Sequence, residues 1–553
     1  MKQRFFSIFA SLLLIATASC TRYLDMTPTD KVSDKVLWRT TETAEYGVNY
    51  IYSYVLDIYG WQSAYGFFTE ALTDEFKYGS YNYVYTGLIP SEFAYGDEVT
   101  MSSTYVDTYM GVWGSLYSAV RKVNQGLSYL EAYGEMSSGD KARLRAEMLF
   151  MRGYFYFELA KRYKEVILYG EDLTAISKDK ELSSEEQVWD FVESDLKAAA
   201  EVLPAKAEAR GRINKGMAWA LMSRAMLYAG RWQKVVDAAA EVEALGYGLE
   251  DSYSDAWGKS IADGNNEAIL QYVFDRANDV THSFDFYYTP GGDYYFFGET
   301  GGGYAYPTQE MVESYEYAGG GQVDWSPWHS DAVSAKPPYD KLEPRFAATI
   351  LYNGSAWKGR TIEPYVGGRD GWFAWKLEQE PKGRTCTGYY LRKGVDETHD
   401  VIHQPGGVQP VTILRYAEVL LNKAEACYRL NLESEANDAV RKIRTRVGLA
   451  YTPKSGSELW SAIRQERKVE MAYEGLSYWD LRRWGVAHKN YPEGLSGYQQ
   501  HGLKVEKTDE GFSYSYVSVD EKNRNFPSRL YRFPLPESEL SSNGKVSQFS
   551  EWN

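Results

Sequence analysis

Cysteine is scarce in this chain, with 3 residues among 553. That number cannot supply the disulfide framework of a small secreted domain. The hydrophobic fraction of 44% is enough for a core without one. Cys427 lies among apolar residues at helical spacing, where a thiol packs as a small buried hydrophobe. Because no Ser- or Pro-rich linker divides the chain either, we expect one large body.

Positive charge is also in short supply. Lys and Arg number 60 against 76 Asp and Glu, which gives a formal net charge of −16. Proteins that bind nucleic-acid phosphates or anionic lipid present basic patches. This balance therefore argues against nucleic acid as a partner and against electrostatic docking on anionic lipid.

Catalytic motifs are missing. The sequence has no G-x-S-x-G elbow, no H-E-x-x-H, no P-loop and no G-x-G-x-x-G after a strand. His399 and His403 are four residues apart, which on a helix would suit a metal, but Pro405 and the two glycines after it predict a loop with incidental histidines. We predict no metal, no cofactor and no enzymatic activity.

Two groups of acidic residues need a separate interpretation. The run Asp263–Glu267 offers oxygen ligands but lacks a complete calcium loop, so it predicts a turn before a strand. Glu466, Glu470 and Glu474 follow one side of a predicted helix that also carries arginines. Alternating charge of this kind is typical of a salt-bridged structural face.

The first residues predict export. Lys2 and Arg4 precede an apolar run from Phe5 to Ala16, which is too short to span a bilayer and is typical of a signal peptide, residues 1–19. Small residues then end on Cys20, so the segment resembles a lipoprotein signal that is cleaved before Cys20 and lipidated on it. An ordinary secretory signal with an incidental cysteine is the alternative. Residues 20–40 predict an extended, lipidated tether.

Helical periodicity dominates two regions, about residues 41–245 and 411–490. It is strongest over Val411–Leu430, where alanines and leucines at three- and four-residue spacing share one packing face. The other principal predicted helices are Thr41–Leu56, Thr104–Tyr133, Lys141–Lys164, Glu435–Val447 and Glu458–Trp484, the last interrupted at Gly475.

Helices also occur in pairs. Residues Asn214–Leu245 predict two helices broken at Gly230, and Trp219 with the apolar residues of the second helix fits a 34-residue tetratricopeptide repeat. We therefore predict a mainly α fold of irregular tetratricopeptide-like helix pairs.

Between about residues 246 and 409 the helical periods fade and Gly, Pro, Tyr and Trp multiply. We interpret this stretch as a loop-rich insertion that contains short strands. The chain holds 48 Tyr and 16 Trp, more rings than a core needs. Loops on a rigid scaffold are where binding usually occurs, so this insertion is the predicted ligand-binding region.

Two C-terminal blocks, RYAEVLLNKAEA and RQERKVEMAYEGLSYWDLRRWG, resemble the paired signature of the SusD/RagB family of outer-membrane nutrient-binding lipoproteins from Bacteroidetes-type bacteria. The resemblance covers nearly the whole mature chain. It implies a protein anchored at the cell surface that binds an oligosaccharide without covalent chemistry. It further implies delivery of that ligand to a TonB-dependent, SusC-like outer-membrane transporter, over which the protein closes as a lid.

The resemblance also implies where the glycan binds: the loop after the first helix and loops of the insertion. Sugar rings stack on aromatic faces while their hydroxyl groups need a few directed polar partners, and local loop packing is the alternative for each ring. The corresponding residues here are Asp74 and Asn82 as polar partners, and Tyr83, Tyr85, Tyr95, Tyr294, Tyr295, Phe296, Trp325 and Trp328 as rings.

Three other functions stay open. The first is capture of peptides in the same transport setting. The second is a tetratricopeptide-like scaffold that binds only proteins. The third is a hydrolase with an unrecognised carboxylate pair, which an acidic chain can always offer.

Overall fold

The computed structural model of the chain describes residues 33–64, 69–78, 92–97, 101–175, 177, 179–207, 211–295, 301–373, 384–404 and 406–553, without the side chains of residues 56–64, 92, 175 and 295. The predicted signal peptide, Cys20 and most of the predicted tether lie outside the described residues.

The described residues form nineteen helices. In chain order they are Asp34–Leu37 (α1), Thr41–Ala64 (α2), Glu92–Tyr95 (α3), Ser103–Met110 (α4), Trp113–Tyr133 (α5), Ser138–Tyr163 (α6), Glu185–Val202 (α7), Lys215–Tyr228 (α8), Trp232–Ala244 (α9), Tyr253–Gly258 (α10), Phe284–Tyr288 (α11), Gly292–Tyr295 (α12), Gln309–Val312 (α13), Pro344–Thr349 (α14), Tyr416–Arg429 (α15), Glu433–Arg446 (α16), Gly456–Glu470 (α17), Ser477–Arg483 (α18) and Glu537–Ser542 (α19). Within this part of the chain no helix combines the length and the apolar character that crossing a membrane requires.

Strands are short and pair two at a time. They are Phe76–Tyr78 (β1), Ala268–Tyr272 (β2), Ala305–Pro307 (β3), Ile350–Leu351 (β4), Ala356–Trp357 (β5), Arg360–Thr361 (β6), Tyr390–Leu391 (β7), Val411–Arg415 (β8), His501–Thr508 (β9) and Gly511–Ser518 (β10). The antiparallel pairs are β1 with β3, β2 with β8, β4 with β7, β5 with β6, and β9 with β10.

The helices α5 to α9 pack successively, each on the next, and α15 packs on both α8 and α9. The second helical region thus continues directly from the first, although the insertion separates them in sequence. One hydrophobic core extends from Trp38 to Phe549. The predicted mainly α fold, in which helix pairs and a loop-rich insertion form one body, is confirmed.

The pair α8–α9 has the predicted tetratricopeptide-like form. Asn214 caps α8, and the chain turns at Gly230, whose φ of +69° is costly for residues with a side chain. Val235, Ala239 and Val242 lie at helical spacing on α9 and are all buried. The residues of this segment alone were therefore sufficient to predict the helix pair.

The helix predicted over Val411–Leu430 is wrong in its first five residues. Val411–Arg415 forms β8 and pairs with β2, and only Tyr416–Arg429 is helical. Val411, Thr412 and Ile413 are β-branched, and such residues favour a strand wherever a partner edge is present. The partner lies more than 130 residues earlier in the sequence, so local periodicity could not reveal it.

Other boundaries also differ from those predicted. The first helix continues through Gly60 to Ala64, and Gly111 separates α4 from α5 where one helix was predicted. Between α17 and α18 the chain reverses through Tyr473 and Gly475, both at positive φ. The end of the predicted tether is helical, not extended, because Trp38 is buried against the body.

Gly153 allows α6 and α7 to approach closely. A Cβ atom there would lie 2.8 Å from Cδ2 of Leu196. We expect Gly153→Val to be about 1–3 kcal/mol more destabilising than Gly139→Val, because overpacking adds to the intrinsic cost of valine in a helix. Gly139 lies in the same helix, and a Cβ there would have no neighbour closer than 3.9 Å. Urea unfolding of both variants measures the difference; equal midpoints would refute the packing role.

Candidate functional site

A short sheet brings together the two regions that were predicted to build the site. Strand β1, which follows the first long helix, pairs antiparallel with β3 of the insertion through Phe76–Pro307, Lys77–Tyr306 and Tyr78–Ala305. The main chain on either side of this sheet leads in sequence into the predicted binding loops. The insertion therefore lies directly beside the segment after the first helix.

Helix α11 orients its rings by helical periodicity. Phe284 and Tyr288 are four residues apart and point inward, where Tyr288 stacks on Phe76 of β1 with ring centroids 6.0 Å apart. Phe286 consequently faces outward and is 40% exposed, whereas Tyr287, three residues after Phe284, is partly buried against the core.

Tyr304 completes a partly exposed aromatic group beside the sheet. Its ring centroid lies 4.5 Å from that of Tyr287, which in turn lies 5.5 Å from Phe286. The backbone N–H of Tyr304 donates to the carbonyl of Tyr287 over 3.0 Å, so the two segments are fixed together. We call Phe286, Tyr287 and Tyr304 the ring surface. Its exposed apolar faces are suited to stacking on the C–H groups of a sugar.

Tyr294, a predicted contact residue, supports this surface from beneath. Its ring packs edge-on against Phe286 at 5.5 Å, its hydroxyl donates to the Phe286 carbonyl over 3.2 Å, and it is 2% exposed. A Cβ at Gly301 would lie 2.9 Å from this ring, so that glycine lets the chain pass close to it. The structure therefore places Tyr294 under the ring surface.

Asp74 and Tyr95 are held by charged partners. Asp74 accepts a hydrogen bond from Lys468 over 2.7 Å and lies on the wall of a polar cavity. The Tyr95 hydroxyl donates to Asp520 over 3.3 Å in the protein interior. Burial alone would raise the pKa of Asp520, but its ion pairs with Arg524 and Lys77 hold that pKa well below its usual range.

Trp325 and Trp328 form a separate aromatic cluster. Their ring centroids are 5.6 Å apart, and Trp325 also packs against Tyr339. Trp325 is 4% exposed, while Trp328 is half-buried and donates from Nε1 to the carbonyl of Ala335 over 2.8 Å. Trp325 therefore packs within its own loop, which is the alternative to ligand contact. Trp328 keeps an accessible face.

Four predicted contact residues, Asn82, Tyr83, Tyr85 and Phe296, lie outside the described residues, and the side chain of Tyr295 does as well.

A profile of the SusD family matches residues 266–552, just over half of the chain. The chain belongs to the SusD family. A second profile, described as "Starch-binding associating with outer membrane", matches residues 55–227.

Individual members of the family are similar over nearly the whole chain. The SusD-like protein P25 of Formosa agariphila is 23% identical over 509 residues, which cover 86% of this chain and 88% of that protein. A SusD-like protein from Bacteroides fragilis aligns with a TM-score of 0.77 at 29% identity, covering 95% of this chain and 99% of its own. A SusD-like carbohydrate binding protein from the same species aligns with a TM-score of 0.74 at 21% identity, covering 92% and 100%.

The glutamates of the SusD signature helix are structural, as predicted. Arg415 Nη1 lies 2.7 Å from Glu267 and 2.6 Å from Glu470, and its Nη2 lies 2.7 Å from Glu474. Arg345 binds Glu466 over 2.6 Å. The sequence suggested arginines of the same helix as the partners, but these arginines come from β8 and α14. We call this group the ionic centre.

The histidines and Cys427 also have structural roles. Residues 399–404 are not helical, which confirms the loop prediction. His399 is buried with Nδ1 2.8 Å from Asp285, and this hydrogen bond raises the pKa of the histidine. His403 is exposed beside Asp400. Cys427 is buried as predicted, and burial raises its thiol pKa to about 11.

Within the described ranges, no group of three or more His, Cys, Asp and Glu side chains is arranged to hold a metal ion.

Sequence reasoning identified the stretch that carries the ring surface, and its choice of Tyr294 and Tyr295 there as ligand contacts stays a prediction. Phe286, Tyr287 and Tyr304 were passed over in favour of Tyr294 and its neighbours. The local signal was the pattern FDFYY, in which Phe284 and Tyr288, four residues apart, share one face and Phe286 points away from it. That pattern distinguishes two sides of a helix; only the sheet shows which side is buried.

Proposed function

We propose that this SusD family member is a glycan-binding protein of the outer cell surface, anchored through Cys20, that passes an oligosaccharide to a TonB-dependent, SusC-like transporter. Binding is noncovalent. The ring surface stacks on the sugar, polar groups of neighbouring loops fix its register, and no bond is made or broken. Peptide capture and a protein-only scaffold are the rival functions.

The observation that carries this proposal is the β1–β3 sheet. It sets the ring surface beside the chain segment that continues toward Asn82, Tyr83 and Tyr85, so rings from two distant parts of the sequence could contact one ligand. A neighbour that shares the fold over 92% of this chain is described as carbohydrate binding, and the N-terminal profile is described as starch-binding and associated with the outer membrane. These descriptions favour a glycan over a peptide.

The proposal predicts that Phe286→Ala combined with Tyr287→Ala weakens glycan binding about tenfold or more. Burying one large apolar side chain contributes roughly 1.5–3 kcal/mol, and each 1.4 kcal/mol is a factor of ten in affinity. Affinity electrophoresis of the soluble chain beginning after Cys20, through gels that contain plant, host and microbial polysaccharides, gives the ligand and the change.

A matched control removes two other outward-facing rings. Tyr46 and Tyr50 on α2 are 64% and 55% exposed, so Tyr46→Ala with Tyr50→Ala should leave retardation unchanged. Equal retardation of the wild type and the Phe286/Tyr287 variant would contradict the assignment of the ring surface. If no polysaccharide retards the wild type, glycan capture is wrong. Co-purification with a barrel that is independent of glycan would then favour the scaffold.

Trp328→Ala is a better test of the second aromatic cluster than the double replacement of Trp325 and Trp328. Trp325 is buried against Tyr339, so removing it would disturb loop packing as well as any ligand contact.

A further inference from the structure

A second concave site is lined in part by Asp74 and Glu75, which immediately precede β1. It is a cavity of about 410 Å³ between Asp74, the acidic residues after β3, the exposed face of α17 and the segment 491–495. We call it the polar cavity. It adjoins a groove of about 620 Å³ along α17, and the two share Gln322, Ser461 and Gln465. Together they are large enough for several units of a chain-like ligand.

The ionised carboxylates that line the polar cavity are already paired. Asp74 binds Lys468 over 2.7 Å, and Asp480 binds Arg467 over 2.5 Å. Two more carboxylates lie against histidines: Glu310 is 2.6 Å from His501, and Glu313 is 2.7 Å from His329. Burial raises the pKa of Glu75 to about 8, so this fifth carboxyl is protonated at neutral pH.

Arg464 lines the same cavity but has no such partner. Its guanidinium lies over the ring of Trp484 at 4.9 Å, and Nη2 donates to the backbone carbonyl of Glu493 over 3.2 Å. Among the described residues, no carboxylate comes within the 4.0 Å that defines an ion pair with it. Burial lowers the pKa of Arg464, and the more distant carboxylates of Glu493, Asp480 and Glu425 offset this only in part.

The position of this guanidinium favours a carboxylate ligand. The contact with Trp484 and the hydrogen bond to the Glu493 carbonyl hold the guanidinium in place, and a guanidinium fork matches the two oxygens of a carboxylate. Lys468 lies four residues further along α17 and therefore on the same face, but its charge is already paired with Asp74.

The remaining lining suits a sugar that carries this carboxylate. Tyr491 is half-buried and stacks on Tyr498 with centroids 4.5 Å apart, which gives the cavity a rigid ring. Gln322, Ser461 and Gln465 supply amide and hydroxyl groups to hydroxyl-rich neighbours.

We propose that the polar cavity is a second ligand site, which binds the carboxylate of an acidic sugar through Arg464. The choice of a sugar as the carrier of that carboxylate rests on the proposed function; the carboxylate itself rests on the geometry of Arg464. The polar cavity would thus select ligands by their negative charge, while the ring surface binds sugar rings by stacking.

The test compares two probes with the same sugar rings and linkages: a tetramer of galacturonic acid, whose carboxylates are charged, and the same tetramer with every carboxylate neutralised as its methyl ester. By isothermal titration calorimetry at pH 7, the wild type should bind the acid at least about tenfold more tightly than the ester. Arg464→Gln should weaken binding of the acid by about 10- to 100-fold, as expected for loss of a charge-assisted hydrogen-bonded pair, and should leave the ester unchanged. Arg464→Lys, which keeps the charge, should retain part of the affinity.

Arg441→Gln is the matched control. Arg441 is an exposed arginine on the adjacent helix α16, where it pairs with Asp438. It should not affect either probe. Thermal unfolding of all three variants separates misfolding from lost recognition, and Arg464→Lys keeps the test valid if Arg464→Gln is unstable.

Equal affinity for acid and ester, no binding of either, or an acid affinity that Arg464→Gln leaves unchanged would overturn the proposal. Binding of a tetraglutamate peptide with the same dependence on Arg464, without binding of the sugar acid, would also overturn it. A negative result for the polar cavity can be told apart from a negative result for glycan binding at the ring surface. Retardation of the protein by a neutral polysaccharide, and its loss in the Phe286/Tyr287 variant, do not depend on Arg464.

Discussion

Replacing Arg415 by methionine is expected to lower the free energy of unfolding by about 3–5 kcal/mol, because it leaves buried carboxylates without their cation. Arg415 is fully buried and binds Glu267, Glu470 and Glu474 at 2.6–2.7 Å. Methionine fills a similar volume, so the loss reports charge compensation more than a cavity. Urea unfolding at pH 7, followed by circular dichroism, measures it.

The control is Arg441→Met on α16. Arg441 is exposed and pairs with Asp438, so its removal should change the unfolding free energy by no more than about 0.5 kcal/mol. A loss below about 1 kcal/mol for Arg415→Met would mean that water or a neighbouring cation compensates the three glutamates, and that the ionic centre is not essential to the fold.

The large effect follows from what the ionic centre joins. Glu267 precedes the strand that opens the insertion, Arg415 ends β8, and Glu470 ends α17. A hydrogen-bonded cation at their junction fixes the insertion against the second helical region. The ring surface and the polar cavity both depend on that alignment, since each uses residues from the insertion.

The helices could be predicted because their signals are local. Spacing of small and apolar residues identified the pair α8–α9, and Gly230 marked the turn between its helices. The same reasoning failed for Val411–Arg415 and did not find the hairpin β9–β10, where the partner strand, not the helical period, decides the structure. Tertiary pairing of this kind leaves little trace within a short window of sequence.

The candidate sites were less predictable than the fold, for a related reason. An aromatic residue in a loop packs equally well in the interior or against a ligand, and the sequence does not distinguish Trp325, which is buried, from Phe286, which is exposed. Arg464 belongs to a helix rich in arginine and glutamate, and periodicity indicated that its charges were paired. Its actual contacts, the ring of Trp484 after α18 and the backbone carbonyl of Glu493, come from segments that only the folded chain brings near.

Replacing Glu75 by glutamine is expected to stabilise the protein at alkaline pH and to have little effect in mild acid. Glu70 and Glu75 lie buried under the turn between α17 and α18, where Gly475 N–H donates to Glu70 and Tyr473 N–H donates to Glu75. Burial raises the pKa of Glu70 to about 7 and that of Glu75 to about 8, from an ordinary value of 4.5. The carboxylate of Glu70 raises the pKa of Glu75 further.

The direction of the effect follows from proton binding. Between pH 4.5 and about 8 the folded protein keeps a proton on Glu75 that the unfolded chain has released, so the stability contributed by this group falls as pH rises through that range. Glutamine cannot ionise and avoids the loss. Since one pKa unit corresponds to 1.36 kcal/mol, Glu75→Gln should be more stable than the wild type by about 5 kcal/mol at pH 9 and match it within about 1 kcal/mol at pH 5.

Comparing the two proteins at each pH removes the contributions of other groups, such as Lys161, whose pKa burial lowers to about 7. Glu435→Gln, at an exposed carboxyl of α16, should show no such divergence. Unfolding midpoints in urea at pH 5, 7 and 9 provide the comparison. Parallel pH profiles for the wild type and Glu75→Gln would show that Glu75 is already ionised in the folded protein. An ionised Glu75 would add one negative charge to the polar cavity. That charge would oppose the binding of a carboxylate by Arg464, so this measurement also tests the second ligand site.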